Sequence, residues 1–168
     1  MDALSQVKNM AVRHPNEFMQ YRSSTHFVDV MCKQVNEPNL KVSLNSLSAF
    51  LELFEPLRGL FENNLGVICN SIFAAVSSNK AEIREKAEKC TDTILKNLEV
   101  PLFIQYFCQG MLYALPRSRV YLVDQLSDLL ETIYEEKRQL MYKNIFPLLN
   151  KLLDEYKTDL IPHVVNLL

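Results

Sequence analysis

Asn39-Leu40-Lys41-Val42, Lys80-Ala81-Glu82-Ile83 and Arg117-Ser118-Arg119-Val120 are three copies of one short signal, and their reading decides the fold. Each copy opens on an amide or basic residue, closes on a β-branched aliphatic one, and leads from a polar break into a long apolar-periodic run. The copies are offset by 41 and 37 residues (39 to 80 to 117). A polar break returning near every forty residues, with a helical run on either side, is the pattern of stacked helix pairs. One such pair cannot bury its apolar face alone, so successive pairs must pack against each other. The expected fold class is therefore all-α, an α-solenoid.

The flanking runs fit that expectation. Thr25 to Val35 reads as a helix with Phe27, Val28, Met31 and Val35 on one stripe. Pro38 then disfavours helix at the residue before it. The next run places Leu44, Leu47, Leu51 and Phe54 on one face, and Pro56 and Gly59 close it. The second pair carries Leu60, Leu65, Ile68, Ile72, Phe73 and Val76, breaks at Ser77-Ser78-Asn79-Lys80, and continues with Ile83, Ala87, Cys90, Ile94 and Leu98. The third begins at Pro101, a favoured first-turn residue. Leu102, Ile104, Phe107, Met111 and Leu115 line its first helix, and Val120, Val123, Leu126, Leu130 and Ile133 its second. A fourth starts near Lys143 with Ile145, Leu148, Leu149, Leu152 and Leu153, and its partner begins around Leu160. Asp2 to Arg13, with Leu4, Val7, Ala11 and Val12 inward, reads as the second half of an earlier pair. With apolar Val164, Val165, Leu167 and Leu168 at the other end, the expectation is one domain over 1–168, cut from a longer protein.

Composition narrows the function. Of 168 residues 48% are apolar and 23% charged, which suits a globular chain. Three glycines leave little material for a phosphate-cradling loop. The formal net charge of −2 lacks the basic excess of a nucleic-acid binder, so no nucleic-acid partner is expected. No window approaches the ~20 apolar residues of a membrane span, and the first residues lack the pattern of a signal peptide. Cys32, Cys69, Cys90 and Cys108 fall inside helical apolar patterns without a C-x-x-C pair, so they read as reduced core residues of a cytoplasmic protein. His14, His26 and His163 are too scattered to complete a metal site or to serve as a catalytic base, and no cofactor is expected. Asp124, Asp128, Glu131, Glu135 and Glu136 share helical spacing, but Lys137 and Arg138 follow, and the group reads as a solvated face. The chain is expected not to be an enzyme.

The repeated breaks carry the functional reading. Loops inside successive pairs of a stacked array line up along one edge, ~10 Å apart. That edge is expected to present Asn36, Asn39 and Lys41, then Asn79, Lys80 and Arg84, then Arg117 and Arg119. Arg grips carboxylates with paired hydrogen bonds and Lys adds point charge, so the edge suits an acidic protein surface.

These loops also resemble a known family. The period is that of HEAT and armadillo repeats. Asn39 to Leu47 and Asn79 to Ala87 look like the second and third helix-pair loops of TOG domains, the HEAT-type tubulin-binding modules of microtubule polymerases, CLASP proteins and ciliary proteins. Pro116-Arg117-Ser118-Arg119-Val120 resembles the fourth loop. The resemblance runs over roughly residues 25–134. It implies a non-enzymatic module that binds tubulin or microtubules through Asn39, Lys41, Asn79, Lys80, Arg84, Arg117 and Arg119. It also implies regulation of microtubule dynamics in the cytoplasm at the cytoskeleton, with other cytoskeletal proteins as further partners. The other reading of the same array is a HEAT- or armadillo-type scaffold that holds a peptide or helix of another protein.

Overall fold

A computed structural model describes residues 3–21, 24–113, 115–136 and 138–155. Helix accounts for 86% of it, and no strand occurs among the described residues, so the fold is all-α. Contacts divide the chain into two compact units, Met1–Asn97 and Leu98–Leu168. The second helix expected around Leu160 lies outside the described residues.

The first unit opens with α1 (Ala3–Arg13) and a short α2 (Pro15–Gln20), which starts at Pro15 because proline suits a first helical turn. The sequence reading did not anticipate α2. Two helix pairs follow. The first is α3 (Ser24–Val35) with α4 (Leu40–Leu53). The second is α5 (Arg58–Glu62) and α6 (Leu65–Val76) with α7 (Ala81–Asn97). The run expected as one helix from Leu60 to Val76 is broken at Asn63-Asn64, where the Asn64 amide donates to the Leu60 carbonyl at 2.8 Å. Within pairs α3 packs on α4 and α6 on α7. Between pairs α3 packs on α6 and α4 on α7, so each layer continues from one pair into the next.

Side chains explain the arrangement. Val28, Met31, Leu47, Phe50, Leu53, Ile68, Ile72, Ile83, Ala87 and Ile94 are buried at helical spacing. Phe50 stacks on Phe61 with ring centroids 5.2 Å apart and meets Phe54 edge-on at 5.6 Å, an aromatic plug between α4 and α5. The stripe on α4 differs from expectation. Leu44 and Leu51 are half-buried, while Ser43 and Ser46 are fully inside. The reason is hydrogen bonding. Ser43 Oγ donates to the Val35 carbonyl at 2.6 Å and Ser46 Oγ to the Met31 carbonyl at 2.7 Å. Ser71 on α6 donates to the Cys32 carbonyl at 2.7 Å from the other side. Three buried hydroxyls thus fasten α3 to both neighbours, and each is satisfied. At the periphery Lys8 pairs with Glu52 at 2.8 Å, joining α1 to α4. Arg58 Nη2 donates to the Asn97 carbonyl at 2.8 Å, a cation at the negative end of α7. Val12, expected inward on α1, is 52% exposed.

The second unit comprises α8 (Val100–Tyr113), α9 (Pro116–Glu136), α10 (Arg138–Leu140), a π-helical turn (Met141–Ile145) and α11 (Phe146–Glu155). α8 packs on α9, on the π turn and on α11. Its core is Phe103, Ile104, Phe107, Met111, Leu122, Val123, Leu126, Ile133, Ile145, Leu148 and Leu149. Leu102 and Leu115, expected inside, face solvent at 45% and 59% exposure, and Phe103 and Cys108 take inward positions instead. The side chains of Leu152 and Leu153 lie outside the description.

Candidate functional site: the helix-pair connectors

Two of the three repeated signals come together. The α3–α4 connector (36–39) and the α6–α7 connector (77–80) lie side by side in the first unit. The Lys80 ammonium donates to the Pro38 carbonyl at 2.7 Å, and the Asn36 amide reaches Ser71 Oγ at 2.9 Å. The local sequence dictates each loop. Asn39 caps α4, its Oδ1 accepting from the Lys41 and Val42 amides at 3.0 and 3.4 Å. Ser78 Oγ accepts from the Lys80 amide at 3.2 Å, turning the chain into α7.

The expected contact residues therefore have different standing. Lys41 is exposed in the first turn of α4 and Asn79 is exposed on the neighbouring connector. Lys80 is exposed, yet its charged end also bridges to the next connector. Asn39 spends its side-chain oxygen on the helix cap. Arg84 is half-buried and folds back, its Nη1 donating to the Ser78 carbonyl at 2.8 Å. Glu37 and Glu82 are exposed among these residues. Three cations (Lys41, Lys80, Arg84) against two carboxylates (Glu37, Glu82) leave this edge a formal charge of +1, less basic than the connectors suggested.

The third connector belongs to the second unit. Arg117 lies in the first turn of α9, and its side chain is outside the description. Arg119 departs from the expectation of an exposed contact residue, for it is 6% exposed. It sits one helical step before Val123, on the inward stripe that runs through Leu126, Leu130 and Ile133, and its Nη2 points to the Leu112 carbonyl at 3.5 Å. Val120, read as the start of that stripe, is half-buried.

Burial also sets the state of the cysteines. Burial raises the Cys32 thiol to about 11, with Asp29 adding to the effect. It raises Cys69, Cys90 and Cys108 to about 12. These thiols stay protonated near neutrality and behave as core residues. Asp124 and Asp128 are exposed on α9. Among the described residues no cluster of His, Cys, Asp and Glu has the makings of a metal site. Among them also, no helix is long and apolar enough to cross a membrane, in line with the sequence reading.

One feature escaped the sequence reading. A cavity of about 470 Å³ opens between α1, α2 and α3, lined by Val7, Met10, Phe18, Tyr21 and Phe27. Phe18 and Phe27 meet edge to face at 5.4 Å on one wall. The sequence signal for it is the succession of Phe18, Tyr21 and Phe27 after Pro15.

Comparison with family models and with curated proteins returns no match.

Proposed function

We propose that the chain is a HEAT-like helix-pair solenoid, similar to TOG domains, that binds αβ-tubulin or the microtubule without catalysis. The adjacency of the first two connectors, joined by the Lys80–Pro38 hydrogen bond, carries this reading. It makes a continuous edge from loops 41 residues apart and sets Lys41, Asn79 and Lys80 along it. A rigid edge of this kind suits an acidic protein surface, because its side chains are held before the partner arrives. Contacts of exposed charge weaken with salt, since screening acts over ~8–10 Å at moderate ionic strength. Such binding is how the module would regulate microtubule dynamics.

The test is gel filtration and microtubule co-sedimentation at low salt with wild type and Lys41→Glu. Lys41 is exposed, so the substitution leaves the fold intact. Co-migration with tubulin that Lys41→Glu reduces about tenfold supports the reading, in line with reversal of a charge at a complementary interface. Absence of wild-type binding to either tubulin state overturns it.

The cavity between α1, α2 and α3 favours a second reading, a scaffold that holds an apolar helix or peptide of another protein. Under that reading Lys41→Glu leaves partner binding unchanged, and Phe18→Ala abolishes it.

A further inference from the structure

We infer that Asn36 is a positioning residue for the proposed binding edge. Its side-chain amide holds the α3–α4 connector on the second helix pair and thereby fixes where Lys41 stands. This inference rests on the reading of the connectors as a tubulin-binding edge. The end of α3 shows what the amide is for. The last four carbonyls of a helix have no partner within it. Here each finds one. The Cys32 carbonyl accepts from Ser71 Oγ at 2.7 Å and the Val35 carbonyl from Ser43 Oγ at 2.6 Å. The Lys33 and Gln34 carbonyls accept from the Asn36 and Glu37 backbone amides, both at 3.2 Å. Termination of α3 is therefore complete without the Asn36 side chain. That side chain leaves its own helix pair instead. Its Nδ2 donates to Ser71 Oγ at 2.9 Å and approaches the Ser71 carbonyl at 3.4 Å, both on α6. The Ser71 hydroxyl is already oriented, because its proton goes to the Cys32 carbonyl and a lone pair is left for Asn36.

Two attachments thus hold one short loop to the second pair. Asn36 fastens the start of the loop to α6, and the Lys80 ammonium fastens Pro38 to the α6–α7 connector at 2.7 Å. Only Glu37 lies between them. Directly after them Asn39 caps α4, and Lys41 enters the first turn of that helix, exposed. The path from Ser71 to Lys41 is short and bonded at each step. Without the Asn36 amide the loop keeps its backbone bonds to α3 and the Lys80 contact, but its placement against Asn79 and Lys80 loosens. An edge ordered before the partner arrives loses less entropy on binding, so loosening it weakens binding with no contact removed. Asn36 stands among the edge residues in sequence, yet its amide is engaged with α6. The geometry gives it a role behind Lys41 rather than a contact of its own.

The experiment is microtubule co-sedimentation at low salt with wild type, Asn36→Ala, Lys41→Glu and the double variant, together with amide hydrogen exchange of the unbound chain. Asn36→Ala is expected to weaken binding about threefold or more, the worth of one hydrogen bond, with far-UV circular dichroism unchanged. In the Lys41→Glu background the same substitution is expected to cost less than about twofold, because it acts through Lys41. A residue that merely stabilised the fold, or touched tubulin itself, would cost the same in both backgrounds. Exchange at the Glu37, Asn39 and Lys41 amides is expected to quicken, and exchange in the centre of α7 to stay unchanged. Asn36→Ser, whose hydroxyl is too short to span to α6, replaces Asn36→Ala if that variant loses helix. Unchanged exchange at this connector, affinity within about 1.5-fold of wild type, or an equal loss in both backgrounds overturns the proposal. Absence of wild-type binding overturns the tubulin reading itself, whatever the exchange rates.

Discussion

The Lys80 ammonium and the Pro38 carbonyl lie 2.7 Å apart although 42 positions separate them in the chain. This one contact turns two loops of successive helix pairs into a single edge. It also gives Lys80 two tasks, presenting charge to solvent and holding the neighbouring connector. Replacing Lys80 by Met keeps the aliphatic stem and removes the donor. Exposed hydrogen bonds contribute modestly, so global stability is expected to fall by less than about 1 kcal/mol. Local opening is a different matter. Amide hydrogen exchange at Asn39 to Lys41 is expected to quicken, while exchange in the centre of α7 stays unchanged. Unchanged exchange at the α3–α4 connector refutes the bridging role.

The buried hydroxyls that fasten α3 should be worth more than any surface contact. Ser71 Oγ donates to the Cys32 carbonyl and accepts from the Asn36 amide, so removing it disturbs two partners. Ser71→Ala is expected to destabilise by about 1–2 kcal/mol, and Ser46→Ala, which loses one bond to the Met31 carbonyl, by about 1 kcal/mol. Because Asn36 acts through Ser71, the double variant with Asn36→Ala should lose less than the sum of the two single losses. Urea denaturation midpoints at constant slope measure all of these.

Much of the architecture was legible because breaks and periodicity are local properties. The polar connectors fall where the repeated signal put them, and Ile83, Ala87, Cys90, Ile94 and Leu98 are buried as their spacing implied. The face of α4 was misread because an apolar-only stripe passes over Ser43 and Ser46. Their burial depends on carbonyls of another helix, which no local pattern records. Arg119 was misread for the converse reason. Residue type suggested surface, whereas the register counted back from Val123 leads inward. Of the candidate site, the pairing of the first two connectors followed from the repeat. The folding back of Arg84 and the spending of Asn39 on a cap are consequences of loop geometry, which the sequence does not carry.

Leu102 and Leu115 distinguish a periodic pattern from actual packing. Both are apolar, and both face solvent, whereas Phe103 and Ile104 are 0% and 1% exposed. Leu102→Ser and Leu115→Ser are expected to change stability by no more than about 0.5 kcal/mol. Phe103→Ala and Ile104→Ala each empty a packed site and are expected to cost about 3–5 and 2–5 kcal/mol. Thermal midpoints followed by circular dichroism separate the two groups. A large loss at Leu102 indicates that this end of α8 is covered in solution.

Arg119 is the residue where the fold and the proposed function come apart. A charge reversal there looks, from sequence, like a clean test of an exposed binding edge. In the structure the side chain is 6% exposed on the inward stripe of α9, with its guanidinium turned to the Leu112 carbonyl near the end of α8. Arg119→Glu replaces a buried donor by a buried acceptor facing that carbonyl, and a buried charge deprived of its partners typically destabilises by about 3–5 kcal/mol. Arg119→Met retains the stem that packs against the helix and is expected to lose less, about 1–2 kcal/mol, from the broken hydrogen bond. Lys41→Glu, on an exposed first turn, is expected to leave the urea midpoint unchanged. Any loss of tubulin binding in Arg119→Glu should then track its loss of helix, whereas a loss in Lys41→Glu should occur with the fold intact. An Arg119→Glu variant as stable as wild type contradicts the inward register of α9 and returns this arginine to the surface.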